Sequence, residues 1–367
     1  MENSEKKSLL FTIFMMVKRT NTWLKLEPKY PFSFLDKTIQ PILKKHLTAN
    51  KQILDLKIVV SLTGIFLFAS CSSVLKSTKV GKQTLPLEVY VPSSHSGELK
   101  ITRMVHASVL IEYKGQSVMT DPWFTETKTY PPSEKLATSV EALPNIKVIT
   151  STMDHYDHFD LEGIKNTKLR SIPVLVPFGT KQKDKAIKAG LSDVRAVESG
   201  QVVTVGEFKI TAIKARSGIK PTAFDYETAW LIEAGDWKVL VVGHRIDLEL
   251  LKEIGPIDIA VLPVNKLRIK PMFKKLSMSP EEASDVAEKV NAQIAIPYHY
   301  MYKSTWSWET FIVSHKGTAQ AFAESFRNKG GTPIQLNAGG SGKVKGYKKY
   351  QNSLNMIIVA VIGAPGR

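Results

Sequence analysis

The run Asp154-His155-Tyr156-Asp157-His158-Phe159-Asp160 constrains this chain more than any other stretch. It lies in the loop 151–160, directly after the apolar, β-rich residues 146–150. A loop leaving a strand is aimed by a rigid element, which is why such loops carry sites. His155, Asp157 and His158 alternate imidazole and carboxylate, the ligand types that zinc prefers. The plain alternative is a polar turn with incidental histidines. The chain has eight histidines, and five of them (His106, His155, His158, His244, His299) stand beside expected strand ends. His46, His95 and His315 have no supporting neighbours.

The rest of the pattern is that of an α/β chain. Strands are expected at 99–104, 108–113, 117–120, 146–150, 172–176, 200–205, 207–214, 227–233, 237–242, 258–263, 293–297 and 333–336. The pairs 108–113/117–120 and 227–233/237–242 are joined by Lys-Gly-Gln and Ala-Gly-Asp turns and read as hairpins. Helices are expected at 180–189, 246–254, 279–290 and 317–329. Ser279-Pro280-Glu281-Glu282 is a helix start, with a serine N-cap, proline at the first position and carboxylates in the first turn. Hairpins followed by strands interspersed with helices favour one large α/β domain over two. The expected organisation is an N-terminal extension at 1–56, a signal-like segment at 57–71, a linker at 72–98, the domain at 99–340 and a basic, then apolar tail at 341–367.

Charge narrows the function classes. The chain of 367 residues carries a formal +16, of which residues 1–70 hold 11 basic and 5 acidic side chains, or +6. The charge is diffuse: no basic stripe interleaves with aromatics, so a lysine-rich surface is expected and no nucleic-acid partner. The single cysteine excludes an internal disulfide framework. Residues 58–70 are uncharged and mostly apolar, follow Lys57 and lead into Phe68-Ala69-Ser70-Cys71. Such a run is too short to span a bilayer, which takes about 20 residues, and has the layout of a secretory signal. Its end resembles a bacterial lipobox, which implies Cys71 as lipidated N-terminus and membrane anchor in a bacterial envelope. The alternatives are a buried segment with a small cysteine and a cytoplasmic chain. The 56 residues before the run suggest a translation start near residue 54.

Asp-His-Tyr-Asp-His-Phe-Asp resembles the metal loop of the metallo-β-lactamase fold, whose pattern is His-x-His-x-Asp-His. His106-Ala-Ser-Val-Leu-Ile and Thr120-Asp121-Pro122-Trp123-Phe124 are similar to the opening hairpin of the branch with the ascorbate-phosphate lactonases and the phospholipase D acting on N-acylphosphatidylethanolamines. Residues 206–215, 241–243, 257–263 and Ile296-Pro297-Tyr298-His299 follow in the family's order. The resemblance spans about residues 99–340 and implies a four-layer αββα sandwich with its site at one edge of the two sheets.

The resemblance also implies a dinuclear site, which is incomplete here. Met153 stands in the place of the first histidine, Ser217 in that of the third, and His244 in that of the bridging aspartate. The first metal site keeps only His155, too little to hold an ion. The second keeps Asp157, His158 and His299 and gains His244, a set suited to one zinc. An open position there would hold a water with a pKa lowered to about 7. His155 is then the general base or electrostatic partner. Asp121 is expected to orient a ligand from behind, or else to make an Asx turn before Pro122. His106 is expected as a buried, satisfied histidine behind the site. The implied activity is hydrolysis of an ester, lactone or phosphodiester in a small, anionic substrate. The alternative is a non-catalytic metal- or ligand-binding lipoprotein of the same fold.

Overall fold

A computed structural model describes residues 76–347, except 78, 82–86, 93–94, 96, 127–133, 216–226, 270–273, 301–312 and 339. The expectations at His46, Cys71 and Ser217 lie outside the described residues.

Alternation along the strands explains the layers. In a strand, successive side chains face opposite sides, so a strand buried on both faces reads as a continuous apolar run. Val109 and Ile111 of strand Ser108–Tyr113 join one core with Val239 and Val241 of strand Trp237–Val241 and Ile259 and Val261 of strand Ile259–Pro263. Leu110 points the other way, into a core with Ile164 and Ala186 from helices Leu161–Lys165 and Gln182–Lys188. Leu240, Ala260 and Leu262 pack against Ala283, Val286 and Phe322 from helices Pro280–Lys289 and Ala319–Asn328. Three apolar cores thus separate four layers, with two sheets inside and helices outside.

The first sheet has eight strands, in the order 87–92, 341–347, 98–105, 108–113, 116–120, 146–150, 174–177, 194–197. The second has seven, in the order 202–205, 208–214, 228–234, 237–241, 259–263, 294–298, 332–333. The first opens on a parallel pair, 87–92 with 341–347, is antiparallel from there to 116–120 and parallel on to 194–197; the second is antiparallel to 237–241 and parallel on to 332–333. Parallel strands end together, so each sheet has an edge where several carboxyl ends emerge.

Most expected elements are present, and the start at Ser279 is a full capping box with Glu282. Four expectations need correction. The linker at 72–98 contains strand Leu87–Pro92, and the tail from 341 begins with strand Ser341–Tyr347. These two strands pair in parallel, and Ser341–Tyr347 sits between Leu87–Pro92 and Glu98–Val105, so both belong to the sheet. The expected helix 246–254 is a single 3-10 turn, Leu248–Leu251. Its Leu248 and Leu250 are exposed and only Leu251 is buried, so no apolar face rewards a longer helix. The strand expected at 333–336 shrinks to Thr332–Pro333, where Pro333 has no N–H to continue the ladder.

Candidate metal centre

Strands of both sheets deliver the site residues at their carboxyl ends. His106 follows Glu98–Val105, Asp121 follows Gln116–Thr120, and the loop 151–160 follows Ile146–Thr150. From the second sheet, His244 comes just after Trp237–Val241 and His299 directly after Ile294–Tyr298. Backbone bonds tie the two edges: His299 N donates to His106 O at 3.0 Å and Thr228 N to Thr152 O at 2.9 Å. His106, Asp121 and His299 have left-handed φ values of 46°, 48° and 55°. Such backbone costs about 1–3 kcal/mol each in a non-glycine residue, and clusters of it mark functional sites.

The loop residues divide into holders and ligand candidates. Asp160 is fully buried and accepts from Phe124 N, Thr125 N, Thr125 Oγ1 and Gly163 N at 2.7–2.9 Å, which pins the loop to the turn after Asp121. Burial pushes its carboxyl pKa up, with the hydrogen bonds opposing. Asp121 is fully buried too. It accepts from Thr152 N at 2.6 Å and from Thr152 Oγ1 at 2.8 Å, and its Oδ2 lies 2.8 Å from His158 Nδ1. The expectation that Asp121 orients a histidine from behind describes this contact. His158 Nδ1 faces a carboxylate, so Nε2 is left to face inward.

His244 is held in the same manner by a residue the sequence reading did not single out. Its Nδ1 lies 2.9 Å from Oε1 of Glu227, which is buried at the head of strand Thr228–Ala234. A lone carboxylate before a run as apolar as Ala229-Trp230-Leu231-Ile232 is the only sequence signal for it. Glu227 Oε2 and His299 Nδ1 are buried polar atoms without a hydrogen-bond partner.

The imidazoles converge. His158, His244 and His299, all buried, each offer a ligand atom within 4.8 Å of the others. The Nε2 atoms of His158 and His299 are 2.9 Å apart. Asp157 Oδ2 lies 3.7 Å from each of these two atoms and 3.2 Å from His106 Nε2. His106, Asp157 and His299 form a second group within the same 4.8 Å limit. Asp157 Oδ1 is hydrogen-bonded to Nδ1 of His155, whose side chain is 39 % exposed. The structure thus places His158, His244 and His299 in one group and His106, Asp157 and His299 in a second, with His155 against Asp157 on the solvent side and Asp121 behind His158. Met153, in the place of the family's first histidine, is buried.

The electrostatics follow from this packing. Burial would raise the Asp157 carboxyl, but His155 and His158 hold it well below the usual carboxylate range. Burial opposes charge on His158, yet Asp157 and Asp121 outweigh it and push its pKa up to about 9. His299 is driven well below the ordinary histidine value by burial and by the neighbouring imidazoles of His106, His244 and His158. The donor set is nitrogen with one carboxylate oxygen, and two of its imidazoles are backed by buried carboxylates. This chemistry fits a divalent metal ion.

Comparison with known proteins agrees with this geometry. Residues 100–299 match the family model described as beta-lactamase superfamily domain. The chain is 28 % identical over 256 residues to the N-acyl-phosphatidylethanolamine-hydrolyzing phospholipase D 1 of Caenorhabditis elegans, covering 60 % of this chain and 70 % of that one. It is 24 % identical over 210 residues to a UPF0173 metal-dependent hydrolase of Azorhizobium caulinodans, covering 55 % and 85 %. Among solved structures, the fold matches Igni18, a metallo hydrolase from Ignicoccus hospitalis, with a TM-score of 0.52 and 15 % identity, over 68 % of this chain and 99 % of that one. The chain belongs to the beta-lactamase superfamily and has the metallo-β-lactamase fold.

Proposed function

We propose that this protein hydrolyses an ester, lactone or phosphodiester bond at a single zinc held by Asp157, His158, His244 and His299. The observation that carries the reading is the pair of buried carboxylates behind the imidazoles: Asp121 on His158 Nδ1 and Glu227 on His244 Nδ1, at 2.8 and 2.9 Å. Each fixes the ring tautomer and directs Nε2 inward. When bound, the zinc supplies a Lewis acid and an activated water at neutral pH.

The chain's own residues supply the rest. His155 is the most exposed imidazole of the cluster and is hydrogen-bonded to Asp157, which places it to accept a proton at the solvent side. Tyr298 OH donates to Val242 O at 2.6 Å and secures the strand that delivers His299. The basic surface favours an anionic substrate. The phospholipase D named above, a relative at 28 % identity, makes phosphodiesters the first substrates to try. The Phe68-Ala69-Ser70-Cys71 stretch supports lipid attachment at Cys71 and an envelope location.

One observation favours a second reading. Four protein ligands fill a tetrahedral zinc, which is the pattern of structural sites. A non-catalytic metal-binding member of the family would look the same. Zinc-loaded and metal-stripped protein should therefore be assayed against ester, lactone and phosphodiester panels. Zinc-dependent turnover supports the hydrolase. Tight zinc with no turnover in any panel supports the binding protein.

A further inference from the structure

Helix Gln182–Lys188 has two unlike sides. Gln182 and Ala186, one turn apart, are buried. Gln182 Nε2 donates to Ser151 Oγ at 2.8 Å and to Met153 O at 2.7 Å, and Lys185 Nζ lies 2.6 Å from Asp154 Oδ2. These bonds fix the helix to the loop 151–160. The other side is turned to solvent. Lys183 and Ile187, also one turn apart, are exposed, with Lys188 next in sequence. Ile187 is 50 % exposed, and Phe178, just before the helix, is 55 % exposed. No other large apolar side chain among the described residues is as exposed as these two.

This surface lies beside the edge that carries the metal loop. Strands Ile146–Thr150 and Val174–Pro177 are parallel neighbours, with Thr150 opposite Leu175. The loop 151–160 leaves the first strand and Phe178 leaves the second, so both emerge at the same edge of the sheet. Phe178 N donates to Val197 O at 3.1 Å, which holds its backbone there.

A single exposed apolar side chain is ordinary on a protein surface. Here two are spaced among lysines. Residues 178–188 contain Lys181, Lys183, Lys185 and Lys188 against one carboxylate, Asp184. Lys185 is taken up by Asp154. The other three lysines are exposed and form no ion pair among the described residues. Lysine is depleted from protein–protein interfaces, which argues against a protein on this face. Apolar side chains ringed by lysines suit the headgroup boundary of an anionic bilayer. The apolar groups enter it, and the ammonium groups meet the negative charge of the lipids.

We propose that Phe178 and Ile187, with Lys181, Lys183 and Lys188, form a docking surface for an anionic lipid bilayer, which turns the edge with the metal loop toward the headgroups. Docking needs no metal, so its failure leaves the hydrolase reading standing. The single native cysteine simplifies the test. In the full chain carrying Cys71→Ala, the further substitutions Phe178→Cys, Ile187→Cys and Asp236→Cys, made one at a time, each take one polarity-sensitive fluorophore. Asp236 is exposed and precedes strand Trp237–Val241, whose other end leads to His244, so it reports on the far edge. The probe is a vesicle of phosphatidylcholine with phosphatidylserine. Emission from positions 178 and 187 should shift to the blue, and emission from 236 should not move. Each lysine near an anionic surface is worth about fivefold in partitioning, so changing Lys181, Lys183 and Lys188 together to alanine should weaken binding roughly 100-fold. Equal binding to vesicles of phosphatidylcholine alone, or an equal shift at 236, overturns the proposal. No shift at 178 and 187 also overturns it and leaves the face to a protein partner.

Discussion

Asp121→Asn tests how the centre is oriented. Asparagine is nearly isosteric and tolerates the φ of 48° at this position, so the backbone has no reason to move. Asn Oδ1 can keep the bond from Thr152 N, now 2.6 Å. The other branch becomes an NH₂ group in the place of Oδ2, facing Thr152 Oγ1 and His158 Nδ1, now at 2.8 Å each. Nδ1 must then accept a hydrogen instead of donating one, which moves the ring hydrogen to Nε2, the ligand atom. Flipping the amide sets its NH₂ against Thr152 N–H and gains nothing. Loss of a carboxylate behind a ligand histidine costs about 10–100-fold in metal affinity, or about 1.4–2.7 kcal/mol. The lost charge-assisted bonds cost a further ~1.5–3 kcal/mol of folding stability. Competition against a chromophoric chelator measures the first, and thermal melting of the metal-stripped protein the second. At saturating zinc the stoichiometry should match wild type. A zinc Kd within twofold of wild type would refute the claim that Asp121 sets the tautomer of a ligand.

Other consequences are separately measurable. His158→Ala and His299→Ala should each abolish bound zinc, read by metal analysis after gel filtration. Zinc affinity should weaken on acidification by up to tenfold per pH unit below about 9, because the cation must displace the proton of His158. In the metal-free protein the sign is opposite: the raised His158 pKa stabilises the fold fully below its unfolded value of 6.5, and that contribution fades as pH rises through about 9. Melting curves of both forms between pH 6 and 10 separate the two effects. Arg103→Met removes the buried guanidinium and strands the part-buried Glu134, whose side chain is 10 % exposed, and should cost about 3 kcal/mol, a Tm drop of roughly 6–12 °C. Cys71→Ala should shift the cellular protein from the membrane to the soluble fraction, and an unchanged distribution would argue against lipid attachment.

The sandwich was readable because its signal is local. Val109-Leu110-Ile111 and Val239-Leu240-Val241 are apolar on both faces, which only a doubly covered sheet explains. The metal loop was readable because one strand end carries His155, Asp157 and His158 within four residues. What escaped depends on distant partners. Leu87 pairs with Gly342, and no local pattern in 87–92 or 341–347 announces a parallel strand whose partner lies at the other end of the domain. Glu227 and Glu134 look like ordinary surface carboxylates until the fold sets them against His244 and beside His106. The left-handed backbone at His106, Asp121 and His299 has no sequence signature, since none of the three is glycine. From sequence His106 is a buried, satisfied histidine behind the site; only the fold shows that its Nε2 stands 3.2 Å from Asp157 Oδ2.

Metal analysis of the purified wild-type protein after zinc supplementation and gel filtration bears most directly on whether this edge of the sandwich is a metal centre. About one equivalent of zinc per chain is expected, retained through gel filtration and lost in His158→Ala and His299→Ala. No retained zinc, or one equivalent that survives both substitutions, would contradict it.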